Sequence, residues 1–213
     1  MAIIVPIVEC MINNVFLFVS LFTMVVRMQF SQDWKLFDSE CFSIEVPSDW
    51  VFQFGSEDEK NPNKRNIKVK NDKGERVEYE LGTLCLGNGT TDFSKLMDVE
   101  VRSFRKISGE SALLDEVGGK VPEAGWPEWF EVVRKESGGS KGTNWSKYLL
   151  KGESKGFSVE TGSFSQMVWK YKFFLEANGM VYVVTVSISD GLRSSSRKYD
   201  EMADRIIDSF RAK

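Results

Sequence analysis

"MVWKYKFFLEANGMVYVVTVSIS", residues 167–189, decides the fold. Asn178-Gly179 is the dipeptide favoured in a two-residue type I′ turn, because both central positions need positive φ. Folding the stretch about that turn sets Leu175 against Tyr182, Phe173 against Val184, Tyr171 against Val186 and Trp169 against Ile188. Side chains alternate between the two faces of a strand, so these eight residues share one face. Lys170 and Lys172 point from the other face. A hairpin with such an apolar face needs a second layer to bury it.

The chain supplies that layer immediately downstream. Tyr199, Met202, Ala203, Ile206, Ile207 and Phe210 form the apolar stripe of a helix predicted over about 195–210. Upstream, Phe42, Ile44 and Val46 alternate with Ser43 and Glu45, which predicts a strand with one buried face. Pro47 has no amide to donate and stops it, Ser48-Asp49 form a turn, and Trp50 plugs the bend.

Between these ends the pattern is mostly strand. Residues 56–76 are polar and charged, as in a long hairpin or loop. Val77, Tyr79, Leu81, Thr83 and Cys85 share a strand face, opposite Glu78 and Glu80. Asn88-Gly89 marks a turn. Thr91 or Asp92 is placed to cap a helix whose stripe is Phe93, Leu96, Met97, Val101 and Phe104. Strands are predicted near Ala112–Val117, Trp129–Lys135 and Trp145–Leu150, with "SGGSKG" at 137–142 as a glycine-rich loop before the last. The expectation is an α+β domain over residues 31–213. It consists of a twisted antiparallel sheet of about six strands flanked by two helices, in the order β-β-α-β-β-β-β-α.

Phe42, Ser43, Ile44, Val46, Pro47 and Trp50 at the front, with Tyr182, Val184, Ile206, Ile207, Ser209 and Phe210 at the back, resemble the PsbP-like family, which includes the DcrB-like bacterial proteins. The resemblance covers roughly residues 36–211 by element order. It implies a non-enzymatic protein-binding, assembly or adaptor module whose partner is another protein, some members working near membranes. It brings no catalytic residues. The segment 56–76 and the apolar N-terminus depart from the family pattern.

Residues 1–30 differ from the remainder. Val15–Val26 is the strongest apolar run, and the stretch from Ile3 to Val26 is long enough for an apolar helix across a bilayer, which takes about 20 residues. Pro6, Glu9, Asn13 and Asn14 interrupt it. The segment has two readings. One is a membrane anchor over residues 3–26 that leaves the domain on the cytoplasmic side, because Arg27 follows it. The other is a start at Met28, which gives a soluble cytoplasmic protein.

Composition narrows the chemistry. The chain has 213 residues, a net charge of −3 and no histidine. Histidine-based triads and histidine-ligated zinc are therefore excluded. The acidic balance argues against nucleic acid. Cys10, Cys41 and Cys85 form no C-x-x-C pair, and no metal or cofactor is expected. Cys41 and Cys85 fall on strand faces of different polarity, which argues against a bridge between them.

Three candidate sites follow. "KNPNKRNIKVKNDK", residues 60–73, holds Lys64, Arg65, Lys68 and Lys70, suited to an acidic protein surface, an anionic ligand or an anionic membrane. The same residues also fit a solvated hairpin. Trp126, Trp129 and Trp145 form a candidate aromatic contact patch, against ordinary core packing. Glu78 and Glu80 are the best paired carboxylates for a hydrolase, against a solvated strand face.

Overall fold

A computed structural model describes residues 32–52, 63–70, 76–108, 130–140, 143–158 and 162–213. The expected N-terminal helix and the expected strand at Ala112–Val117 lie outside these residues. Packing divides the chain into Met1–Trp34 and Lys35–Lys213. Among the described residues no helix is long and apolar enough to cross a membrane.

The strands are β1 (Trp34–Asp38), β2 (Phe42–Pro47), β3 (Val51–Phe52), β4 (Asn63–Lys70), β5 (Arg76–Gly87), β6 (Met97–Ser108), β7 (Phe130–Ser140), β8 (Thr143–Ser158), β9 (Gly162–Ala177), β10 (Met180–Ser189) and β11 (Arg211–Ala212). The helices are α1 (Asp190–Ser195) and α2 (Lys198–Ser209). The main sheet runs β3-β5-β6-β10-β9-β8-β7, and β4 shares the β5 edge with β3. A small sheet, β1-β2-β11, joins the front of the domain to its C-terminus.

The 167–189 hairpin has the register its turn dictates. Tyr182 pairs with Leu175, Val184 with Phe173, Val186 with Tyr171 and Ile188 with Trp169. Asn178 and Gly179 both have positive φ, 54° and 74°. On this face α2 and β2 close the core, where Ala203, Ile206, Ile207, Phe42, Ile44 and Val46 are buried. Phe210 stacks on Phe42 at 5.5 Å between centroids and lies 5.3 Å from Tyr182. Trp50 is buried, and its amide returns to the Pro47 carbonyl at 3.1 Å.

The helix expected over Phe93–Phe104 is a correction. Asp92 does cap a turn, accepting from the Ser94 amide at 3.1 Å. That turn is a single 3₁₀ turn, Phe93–Lys95, after which Leu96 is extended and β6 begins. Met97, Val99 and Val101 are buried and alternate with Asp98, Glu100 and Arg102. Val99 lies outside the helical stripe but belongs to the period-2 pattern, and its β-branched shape suits a strand. Both neighbours, β5 and β10, pair with β6, so the sheet supplies hydrogen bonds a helix would forgo.

Two smaller differences follow from hairpin geometry. Ser137–Ser140, expected in a glycine-rich loop, belong to β7, with Ser140 paired to Thr143. The terminal helix is two pieces, with Ser196 extended between them.

Candidate functional site

The basic stretch forms strand β4, in antiparallel register with β5 from Asn63–Thr83 to Lys70–Arg76. Lys68 stands opposite Glu78 and Asn66 opposite Glu80. Lys64 and Lys68 are exposed on one face, whereas the other face carries Ile67, half-buried opposite Tyr79, and Arg65, exposed opposite Leu81. Ile67 packs against a buried cluster of Val77, Tyr79, Leu81, Phe104, Phe174, Val181 and Val183. The strand thus has a polar face with Lys64, Asn66 and Lys68, and a mixed face on which Arg65 sits beside Ile67. Among the described residues it pairs on one side only, with β5. Lys64 reaches Glu40 at 3.7 Å, but both groups are solvated, so the pair contributes little.

Glu78 and Glu80 lie on this same patch. Arg105 of β6 holds the Glu80 carboxylate at 2.9 Å. The groove that opens between β1, β2 and the end of α2 is elsewhere, lined by Ser43, Glu45, Arg205, Ser209 and Arg211 among others. Its cations are engaged: Arg205 pairs with Glu45 at 3.0 Å, and Arg211 donates to the carbonyl oxygens of Asp208 and Phe210 at 2.6 and 2.7 Å.

The aromatic patch is only partly placed. Trp126 and Trp129 lie outside the described residues. Trp145 is half-buried, 6.5 Å from the Phe173 ring, and its indole covers Gly138 of β7. A Cβ at Gly138 would come within 2.7 Å of that ring, so the glycine makes room for the tryptophan.

Sequence reasoning missed a charged trough on the sheet face opposite α2. Asp98, Glu100 and Arg102 line β6, Ser187 and Thr185 form the floor on β10, and Lys170 and Lys172 line β9. Asp98 hydrogen-bonds Ser187, and burial pushes its carboxyl up to about 6 against that bond and Lys170. Burial, then the nearby Lys170 and Arg102 charges, bring Lys172 down to about 8. Arg102 binds Glu100 at 2.8 Å, and the Lys170 ammonium sits 5.1 Å from the Phe130 ring centre. The signal was present: once 97–102 is read as a strand, its charges fall in line with Lys170 and Lys172.

A second missed cluster fixes the helices. Trp169 donates to Asp190 at 2.8 Å, and the Arg193 guanidinium lies 3.5 Å from the Trp169 ring centre. Arg193 grips both oxygens of Asp200, at 2.7 and 3.1 Å, and the Tyr171 hydroxyl donates to the same carboxylate at 2.6 Å. Neither Cys41 nor Cys85 is in a disulfide, and the Cys85 thiol is pushed up to about 12, mainly by burial.

No family model matches the chain, and none of the curated proteins matches it. Among solved structures it is similar to the Ran-binding protein Mog1p of Saccharomyces cerevisiae, at 9% identity over 85% of this chain and 96% of that chain, with a TM-score of 0.46. It is also similar to cyanobacterial PsbP (CyanoP) from Synechocystis sp. PCC 6803, at 11% identity over 85% of this chain and 94% of that chain, with a TM-score of 0.45. A PsbP is thus among the similar structures, as the resemblance in the sequence anticipated.

Proposed function

We propose that the domain is a non-enzymatic protein-binding or assembly module whose contact surface is the β4 edge, with the exposed Lys64, Arg65 and Lys68 along it. One observation carries this reading: the most basic stretch of the chain is an ordered edge strand, with exposed cations beside the half-buried Ile67. Trp145 stands on β8, four strands beyond β5, and so does not belong to this edge; residues 3–26 serve as the membrane tether of the domain.

The alternatives fit the geometry less well. An anionic membrane or small anion is best met by a uniformly positive surface. On β4 the cations are interleaved with Glu78 and Glu80 across the pair, a mixed pattern suited to a protein surface. The hydrolase reading needs two carboxylates free in a cleft. Glu80 is held by Arg105 on the sheet face, and neither glutamate lines the groove beside α2.

The test is capture of partners from native extract by the full chain and by a Lys64→Gln/Lys68→Gln variant, with circular dichroism to confirm the fold. The expected outcome is loss of the captured partner in the variant. Equal recovery by the two folded proteins overturns the β4 assignment.

A further inference from the structure

We infer that β4 adds an extended segment of the partner as a further strand, and that acidic and apolar residues alternate along that segment. The inference rests on the reading of β4 as the contact edge and names what binds there.

The outer side of an edge strand presents amides and carbonyls as a ready template for another chain. Among the described residues β4 has its hydrogen-bonding partner, β5, on one side only. A residue of an added strand directly opposite one on β4 would sit about 4.5–5.5 Å away between Cβ atoms, close enough for side-chain identity to matter.

The two faces of β4 then specify the incoming sequence. On one face Lys64 and Lys68 are exposed, with Glu78 already opposite Lys68 on the inner side. A carboxylate on the outer side gives Lys68 an acid on both sides and gives Lys64, whose inner neighbour is Gly82, a countercharge, whereas a lysine there would be repelled. On the other face Ile67 borders the buried cluster of Tyr79, Leu81, Phe104 and Val181. An apolar residue opposite Ile67 extends that cluster and leaves water. Side chains on a strand change face at every residue, so acids opposite Lys64 and Lys68 alternate with an apolar residue opposite Ile67, while the exposed Arg65 beside Ile67 accepts an apolar or an acidic neighbour.

A second copy of β4 does not fit. In symmetric antiparallel registers centred on Asn66 or Ile67, Lys64 meets Lys68 or Lys70, like charge against like. A wholly acidic segment satisfies one face and places a charge beside the apolar cluster on the other.

Fluorescence anisotropy with the full chain tests this using three labelled peptides. One alternates glutamate and valine. The second has the same composition with glutamates and valines in separate blocks. The third is the alternating peptide N-methylated at every second amide. Expected are binding of the alternating peptide and roughly tenfold weaker binding, about 1.4 kcal/mol, to the Lys64→Gln/Lys68→Gln variant. The block peptide and one of the two N-methyl registers should lose binding. Equal binding of alternating and block peptides, indifference to both N-methyl registers, or no binding at all overturns strand addition. Should no peptide bind while the glutamine variant still loses its captured partner, the β4 contact reading stands and this inference alone fails. If the variant keeps that partner, both fall.

Discussion

Phe210 shows how much of the core one residue can carry. Its ring meets Phe42, Tyr182 and Phe173 within 6.3 Å, joining β2, β10 and β9 at the end of α2. Phe210→Ala is expected to lower stability by about 3–5 kcal/mol, read by urea denaturation, because neighbours on three elements cannot collapse into the void together. Asp98 makes a different prediction. Its folded carboxyl, about 6, lies above its ordinary value of 3.8, so the folded state binds its proton more tightly than the unfolded chain does. Stability contributed by that proton is full below about 4 and is lost as pH rises towards 6. The loss is about 1–2 kcal/mol after discounting for residual solvent screening, and Asp98→Asn should flatten the stability–pH curve over that window. An unchanged slope in the variant contradicts the assignment. Cys85 and Lys172 were placed on their correct faces by parity alone, but parity does not report depth. The lysine's burial depends on how β6, β9 and β10 are brought together, which no local window contains.

At the scale of elements, local chemistry decided what was legible. The β9–β10 hairpin could be read residue by residue because Asn178-Gly179 fixes its register without help from the fold. Gly179→Ala should destabilise by about 1–2 kcal/mol, the cost of a Cβ at positive φ, despite open space around the site. A thermal melt matching wild type would refute that. Residues 93–104 failed because two periods coexist there: Phe93, Leu96, Met97, Val101 and Phe104 fit a helix, while Met97, Val99 and Val101 fit a strand. Pairing with β5 and β10 breaks the tie, and those partners are distant in sequence. The glycines at 138 and 139 read as loop because the room Gly138 makes for Trp145 is a cross-strand contact. Gly138→Ala should displace that indole and cost about 1–3 kcal/mol, as overpacking does, with a shift in tryptophan fluorescence as the second readout.

For the whole molecule, the sheet is unequal in its two faces and its two edges. One face is closed by α2 and β2 with Phe42, Tyr182 and Phe210 at the centre, and the other combines an apolar cluster with the Asp98–Lys172 trough. At the β5 edge, β4 turns a run of cations that the sequence shows only as composition into an ordered strand, with Lys68 opposite Glu78 and Asn66 opposite Glu80. The composition was legible, but the edge was not, because edge position is a property of strand order. The account therefore concentrates recognition at β4. The direct measurement is hydrogen–deuterium exchange of the full chain alone and with its captured partner. The account predicts that alternate amides across Asn63–Lys70 slow on binding while the β9–β10 hairpin is unchanged. Protection confined to other strands, with β4 exchanging as in the free protein, would contradict it.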